Sequence, residues 1–266
     1  MFGAIVGDVV GSKFEFFNYR DKDFKLFDED SFFTDDSVMT IAICKAIMDC
    51  NGNYDELSQK VVESMQFLGE RYPYAGYGEM FSKWLRTENP QPYNSFGNGS
   101  AMRISAVAYE AETLEEVKKL SKLVTEVTHN HPEGLKGAEA TAVAIFLARI
   151  GTKKEDIKKY IEKNYYKLDF TIDEIRDDYT FDETCQGSVP QALECFFESN
   201  DFEDTIRLAI SLGGDSDTIG AISGSIAEAY YGIPAYMKEM AINCLDKQLY
   251  EILKEFEKYY LNKLKF

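Results

Sequence analysis

Apolar positions recur at helical spacing along most of the chain. Val38, Ile41, Ala42 and Met48 share a face behind Thr34, which predicts a helix capped by the Thr34 hydroxyl and running to about residue 48. Asp55 is expected to cap the next helix, with Leu57, Val61, Val62, Met65 and Leu68 on its face and Pro73 beyond its end. A short helix carries Met80, Phe81, Trp84 and Leu85 after a Tyr/Gly-rich stretch from 72 to 77. Thr113 and Glu116 make a capping box for a helix through Leu120, Leu123 and Val127. An Ala-rich helix follows over 134–149 and a polar one over 153–164. Ser188 with Gln191 predicts a second capping box, opening 189–199, and Asp201 with Asp204 opens a helix to Leu212. Residues 215–231 read as a helix rich in small residues (Gly220, Ala221, Ser223, Gly224, Ala227), stopped by Gly232-Ile233-Pro234. Two amphipathic helices, 236–245 and 247–263, come after it.

Three stretches depart from this rhythm. Gly3, Gly7 and Gly11 sit four residues apart, so a helix there would carry a stripe without side chains, suited to close packing. From Ser12 to Phe33 aromatic and charged residues mix without a period, which suggests a long ordered loop acting as a lid. Residues 165–187 fit either short strands or loop. No run of alternating strands, repeat or linker is visible, so 1–266 is expected to form one all-α domain.

The net charge of −17 argues against a general nucleic-acid or anionic-membrane binder. Lys153, Lys154, Lys158 and Lys159 are interleaved with Glu155 and Asp156, as on a solvated helix face. Five Cys with no C-x-x-C spacing fit reduced thiols better than a zinc site or a disulfide framework. Residues 1–8 lack a basic segment and Asp8 interrupts their apolar run, unlike a signal peptide. No stretch approaches the ~20 apolar residues of a membrane span. A cytoplasmic monomer is the expectation.

Two acidic clusters carry the candidate chemistry: Phe33-Thr34-Asp35-Asp36-Ser37 and Gly213-Gly214-Asp215-Ser216-Asp217-Thr218. Each pairs carboxylates with a Thr at a helix start, and hard cations such as Mg²⁺ and Mn²⁺ favour carboxylate, hydroxyl and water oxygens. Acidic residues in a first helical turn often only complement the helix dipole. Two adjacent carboxylates exceed that need, and the second cluster repeats the chemistry. An EF-hand loop from Asp215 fails, because Ile219 and Ile226 would fall on ligand positions. A phosphatase-type Asp-x-Asp-x-Thr would follow a hydrophobic strand, and the lead-in here is helical. Gly97-Asn98-Gly99-Ser100-Ala101-Met102-Arg103 is a Gly-rich helix start offering free N–H groups with Arg103 nearby, an arrangement suited to a diphosphate. His129 and His131 flank Asn130, and read as either a polar turn before Pro132 or a substrate contact.

Taken in order, these motifs resemble the ADP-ribosylglycohydrolase family, of the dinitrogenase reductase-activating type. The matching segments are Gly7-Asp8-Val9-Val10-Gly11 with Glu15, the two acidic clusters, Gly97 to Arg103, and Thr128-His129. The resemblance implies a compact orthogonal helical bundle with a binuclear centre of two Mg²⁺ (or Mn²⁺) between two helix N-termini. Thr34, Asp35, Asp36, Asp215, Asp217 and Thr218 would be its ligands. Glu15 would reach from the lid to the metal or the substrate ribose. Gly97, Asn98, Gly99, Ser100 and Met102 would line the diphosphate and ribose with His129, and His131 is left open. Asp36, Glu15 and Asp35 would be the catalytic carboxylates. The implied reaction is hydrolysis of the bond between ADP-ribose and an acceptor, arginine favoured over serine, on a protein or a small ADP-ribosyl substrate. Elementary electrostatics agrees, since converging carboxylates repel and protonate unless cations join them. A non-catalytic ADP-ribose binder or structural protein on the same fold is the alternative, and a metal-dependent nucleotide phosphohydrolase is a third reading.

Overall fold

A computed structural model describes residues 1–264. Its helices are α1 (Phe2–Gly11), α2 (Asp35–Cys50), α3 (Leu57–Arg71), α4 (Glu79–Leu85), α5 (Gly99–Met102), α6 (Ser105–Glu110), α7 (Leu114–Thr125) and α8 (Pro132–Arg149). They continue with α9 (Lys154–Asn164), α10 (Ile172–Ile175), α11 (Cys185–Glu198), α12 (Phe202–Leu212), α13 (Ser216–Tyr231), α14 (Ala235–Cys244) and α15 (Lys247–Lys263). Among the described residues there is no β-strand, only one isolated bridge between Gly97 and Thr184. The all-α expectation holds.

The glycine stripe explains the centre. α1 is buried along its whole length and lies against α13, which is buried from Ser216 to Ala227. A Cβ on Gly7 would overlap the carbonyl oxygen of Gly220, and one on Gly3 would overlap that of Gly224. The two backbones therefore touch directly, which only Gly permits. This crossing sets the first turn of α13 beside the second half of α1, and Gly11 faces Asp217. α8, α11 and α12 pack on the rest of α13, and α2 packs between α1, α3 and α15. One apolar cluster joins these helices.

Helix starts follow local side-chain chemistry, with corrections. Thr34, Thr113 and Asp201 cap as expected, each accepting from the backbone two or three residues on. Thr113 forms half a box, because the Glu116 carboxylate takes the N–H of Glu112. Asp55 is not a cap: Asn53 accepts its N–H, and a 3-10 turn over Tyr54–Glu56 leads into α3. Ser188 does not open a helix. Thr184 caps α11 four residues earlier, and Ser188 returns its hydroxyl to the Thr184 carbonyl at 2.7 Å. In 165–187 the strands are absent; Thr171 and Glu174 form a full capping box on the single turn α10.

Residues 12–34 contain no helix, in keeping with the absence of a period there in the sequence. Phe14, Tyr19 and Phe24 pack in tilted and edge-to-face contacts with ring centroids 4.9–5.6 Å apart. Asn18 accepts the Gly214 N–H at 3.0 Å, and Arg20 donates to the carbonyls of Leu212 and Tyr179. This segment is thus tied to the loop that carries the second acidic cluster.

Candidate active site

Asp8 is fully buried at the end of the α1–α13 crossing. It accepts the Thr34 hydroxyl at 2.7 Å, the N–H groups of Thr34 and Ser37 at 3.0 Å, and the Ser37 hydroxyl. These are donors that the start of α2 cannot satisfy internally. Asp8 therefore fixes where α2 begins and where Asp36 points. Asp36 is buried; its Oδ2 accepts the Thr218 hydroxyl at 3.1 Å, while its Oδ1 has no hydrogen-bond partner. From α13, Asp217 accepts the Thr218 N–H at 3.0 Å, and Asp215 accepts the Asn98 amide at 2.6 Å. Gly213 and Gly214, at φ of 72° and 69°, make the turn that brings this pair to the helix start.

The result is one acid centre with two lobes. Carboxylate oxygens of Asp8, Asp36 and Asp217 lie within 4.8 Å of one another, as do those of Glu15, Asp215 and Asp217. Asp217 belongs to both. Burial raises all of these carboxyls; repulsion from neighbouring carboxylates adds to it at Glu15, Asp36, Asp215 and Asp217, while at Asp8 the donors from Ser37 and Thr34 offset part of it. Asp8 and Asp215 are each pushed up to about 6 and Glu15 to about 8. Asp36 and Asp217 lie well above the ordinary range. The charges that raise Asp36 further are all carboxylates: Asp217, Asp8, Asp35 and Asp215. A bare carboxylate oxygen, buried and aimed among other acids, is what a divalent cation fits.

The structure thus brings together Glu15, Asp36, Asp215, Asp217 and Thr218, with Thr34 beside them holding Asp8. Asp35 stands apart. It is half-buried, belongs to neither lobe, and its Oδ1 lies 3.2 Å from where a Cβ on Gly76 would be. Its field still reaches the centre, and burial and Asp217 raise its carboxyl well above the usual value. From sequence alone Asp8 has no role beyond its place in the Gly7–Gly11 segment that carries the family resemblance; its partners, Thr34 and Ser37, lie at the start of α2 and no local pattern joins them to it.

The Gly-rich loop forms the other end. Asn98 N–H donates to the Glu183 carbonyl at 2.8 Å and Cys185 N–H to the Phe96 carbonyl at 2.9 Å. Residues 183–185 therefore back the loop. α5 is a single turn, without a long helix dipole behind it, and because the Gly97 and Asn98 N–H groups go to Ser95 Oγ and the Glu183 carbonyl, those of Gly99 and Ser100 are the ones left to face a ligand. Ser100 is fully buried and turns its hydroxyl inward, to the Gly134 carbonyl at 3.0 Å. Its side chain shapes the loop from behind instead of lining the site. Met102 reaches the acid centre, its Sδ 4.0 Å from the Thr218 hydroxyl.

His129 lies beneath the loop, with Nε2 3.6 Å from the place of a Gly97 Cβ and 3.7 Å from that of Gly99. Burial and then the Arg103 charge push its pKa well below the ordinary value, so the ring is neutral. Arg103 is 1% exposed, and burial lowers it to about 10. His131 is a structural residue: it caps α8 by accepting the Glu133 N–H at 3.1 Å and packs on Phe96 at 5.2 Å.

The sequence pattern of the ADP-ribosylglycohydrolase family matches residues 1–263. ADP-ribosylhydrolase ARH3 of Homo sapiens is 24% identical, over 91% of this chain and 87% of that protein. ARH3 of Gallus gallus is 27% identical over 75% of this chain and 70% of its own. ADP-ribosylarginine hydrolase Tri1 of Pseudomonas putida (strain GB-1) is 29% identical, over 54% of this chain and 42% of that protein. A solved structure described as an ADP-ribosylglycohydrolase-related protein complex superposes with a TM-score of 0.65 at 24% identity. It covers 94% of this chain and 95% of the other, and shares the fold. With its motifs in order and the family pattern spanning nearly every residue, the chain belongs to the ADP-ribosylglycohydrolase family.

Proposed function

We propose that the protein hydrolyses the glycosidic bond between ADP-ribose and an acceptor, with two divalent cations, Mg²⁺ or Mn²⁺, held in the acid lobes. The observation that carries this reading is the unpartnered, buried Asp36 Oδ1 in a centre whose two carboxylate triads share Asp217. Asp36 and Asp217 would hold one ion, with Asp8, its oxygens already taking four donors, as the supporting carboxylate of that triad, and Glu15, Asp215 and Asp217 would hold the other, with the Thr218 hydroxyl alongside. When bound, such ions supply the positive charge the centre lacks and polarise ribose hydroxyls and water.

The remaining roles belong to the chain. The loop N–H groups and His129 bind the diphosphate, which sets the ribose at the acid end. Asn98 spans both, with its backbone in the loop and its amide on Asp215. The carboxylates around the ribose stabilise the oxocarbenium character that develops at C1″ as the bond breaks. Asp36 and Glu15 are placed to hold or move the proton at the scissile bond. Arginine is favoured over serine as the acceptor, a reading supported by the likeness to Tri1 over about half the chain.

The test is a time course with ADP-ribosyl-arginine and ADP-ribosyl-serine peptides, with Mg²⁺ or Mn²⁺ and with chelator, followed by mass spectrometry. Metal-dependent release of ADP-ribose, faster from the arginine peptide, is expected. Release of AMP or phosphate, or ADP-ribose binding without turnover on either peptide, would overturn the reading.

A further inference from the structure

We infer that Thr128 and Arg103 are positioning residues that hold His129 as its neutral Nε2–H tautomer, aiming a hydrogen-bond donor at an anionic ligand on the Gly97–Gly99 loop. This rests on the ADP-ribose reading for the identity of the anion; the tautomer itself does not.

Hydrogen-bond arithmetic at one hydroxyl carries the assignment. Thr128 Oγ1 is 2.7 Å from Arg103 Nη2 and 2.7 Å from His129 Nδ1. A guanidinium can only donate, so Oγ1 accepts from Arg103. The Thr128 proton then has two places to go. One is the Thr125 carbonyl at 3.5 Å, which already accepts the N–H groups of Thr128 at 3.2 Å and His129 at 2.9 Å. The other is His129 Nδ1 at 2.7 Å. If the proton pointed at the carbonyl, Nδ1–H would have to donate into the second Oγ1 lone pair, leaving the hydroxyl to accept from two donors at 2.7 Å with its own proton on a 3.5 Å contact to a filled carbonyl, and a hydrogen bond that long is weak. Donation to Nδ1 is the better-satisfied arrangement. Nδ1 is then the acceptor of the ring, and the ring proton sits on Nε2.

Nε2 is the atom that faces the loop, near the Cβ positions of Gly97 and Gly99. It has no protein hydrogen-bond partner among the described residues, and the ring keeps 4% exposure. Its donor is left for a ligand. Arg103 fits the same purpose. It is enclosed, its Nε has no partner, and the guanidinium donates to the Thr128 hydroxyl and lies 5.8 Å from the Phe81 ring centroid. A buried cation with no carboxylate partner is costly unless a ligand answers it. Its field also opposes a second proton on His129, which keeps the ring a neutral donor.

The test is direct, because the chain has two His. Long-range ¹H–¹⁵N correlation on ¹⁵N-histidine-labelled protein reads the tautomer of each ring, and a His131→Gln sample assigns them. His129 is expected as Nε2–H. In Thr128→Val the Nδ1 partner is lost, and the His129 signals should move toward a tautomer mixture. ADP-ribose affinity should fall about tenfold, while Thr128→Ser restores both. A wild-type His129 with its proton on Nδ1, or a Thr128→Val spectrum unchanged at His129, would overturn the inference. The wild-type spectrum needs no variant to fold. If the tautomer is as stated but ADP-ribose does not bind, the functional reading fails and the relay stands.

Discussion

The two ends of the site are out of charge balance in opposite senses. At the start of α2 and α13, Asp8, Asp36, Asp215 and Asp217 are buried together with Glu15 alongside, and the charges acting on Asp36 are carboxylates. At the loop end, Arg103 is buried with a hydroxyl and an aromatic face for company, and His129 is held neutral. A protein that only needed stability would pair such charges with each other, or replace them with apolar side chains. Here no carboxylate is hydrogen-bonded to Arg103, and the two ends are joined by the Asn98 amide on Asp215 and the Met102 sulfur beside Thr218. The separation matches a ligand with two chemistries, an anionic diphosphate for the loop and a hydroxyl-bearing ribose for cations in the acid lobes.

If the ends are independent in this way, acid-end substitutions should stop chemistry while sparing loop-end binding. Asp36→Asn is expected to have the largest effect. Removing that charge disables the triad it shares with Asp8 and Asp217. Hydrolysis should fall by more than about 100-fold, the upper range for losing a group that merely supports a metal ligand. ADP-ribose affinity, measured by calorimetry with chelator present, should change only a few-fold. Equal losses of turnover and of chelated binding would break the comparison. Asp8→Asn should do less. An Asn there keeps an acceptor for Thr34 or Ser37 but not for all four donors, so α2 starts less firmly. Metal affinity should drop by about 10- to 100-fold, with turnover recovered at high metal. No recovery at any metal concentration would place Asp8 in the chemistry itself.

The sequence is most legible where structure is local. Thr34, Thr113 and Asp201 act within one turn, so a cap pattern finds them. The Gly3/Gly7/Gly11 stripe is also readable, because a four-residue spacing of glycines has few other uses in a helix. Ser188-x-x-Gln191 misleads for a physical reason. α11 begins where residues 183–185 pair with the Gly-rich loop, a contact between distant segments that no local pattern contains. Long-range pairing also hides Asp8, and it decides which way Ser100 turns. Its hydroxyl lies inward because the Gly134 carbonyl and the Cys185 thiol, 3.4 Å away, are there to meet it. The motif gave the residue types of the loop; the helices packed behind it decide which atoms face the site.

The smallest effect, and the one that weighs both ends at once, is on stability against pH. Asp8 and Asp215 stand at about 6 and Glu15 at about 8 in the folded chain, against ordinary values near 4. The folded, metal-free protein therefore binds more protons than the unfolded chain. What the acid end contributes is fully present below about pH 4 and is lost as pH rises through about 6 and then about 8. His129 has the opposite sign. Its folded pKa lies below the ordinary ~6.5, so its contribution is present above that value and is lost as pH falls. With chelator, the thermal midpoint should decline by a few degrees from pH 5 to 8 as the acids ionise against one another. Mn²⁺ or Mg²⁺ should remove that decline, because the ionised carboxylates then have a partner. His129→Gln should leave the decline in place and soften only the loss below about pH 6.5. A chelated protein whose midpoint is flat or rises from pH 5 to 8 would mean that the acid end already has its counter-charge within the chain, and the contrast between the ends would fall with it.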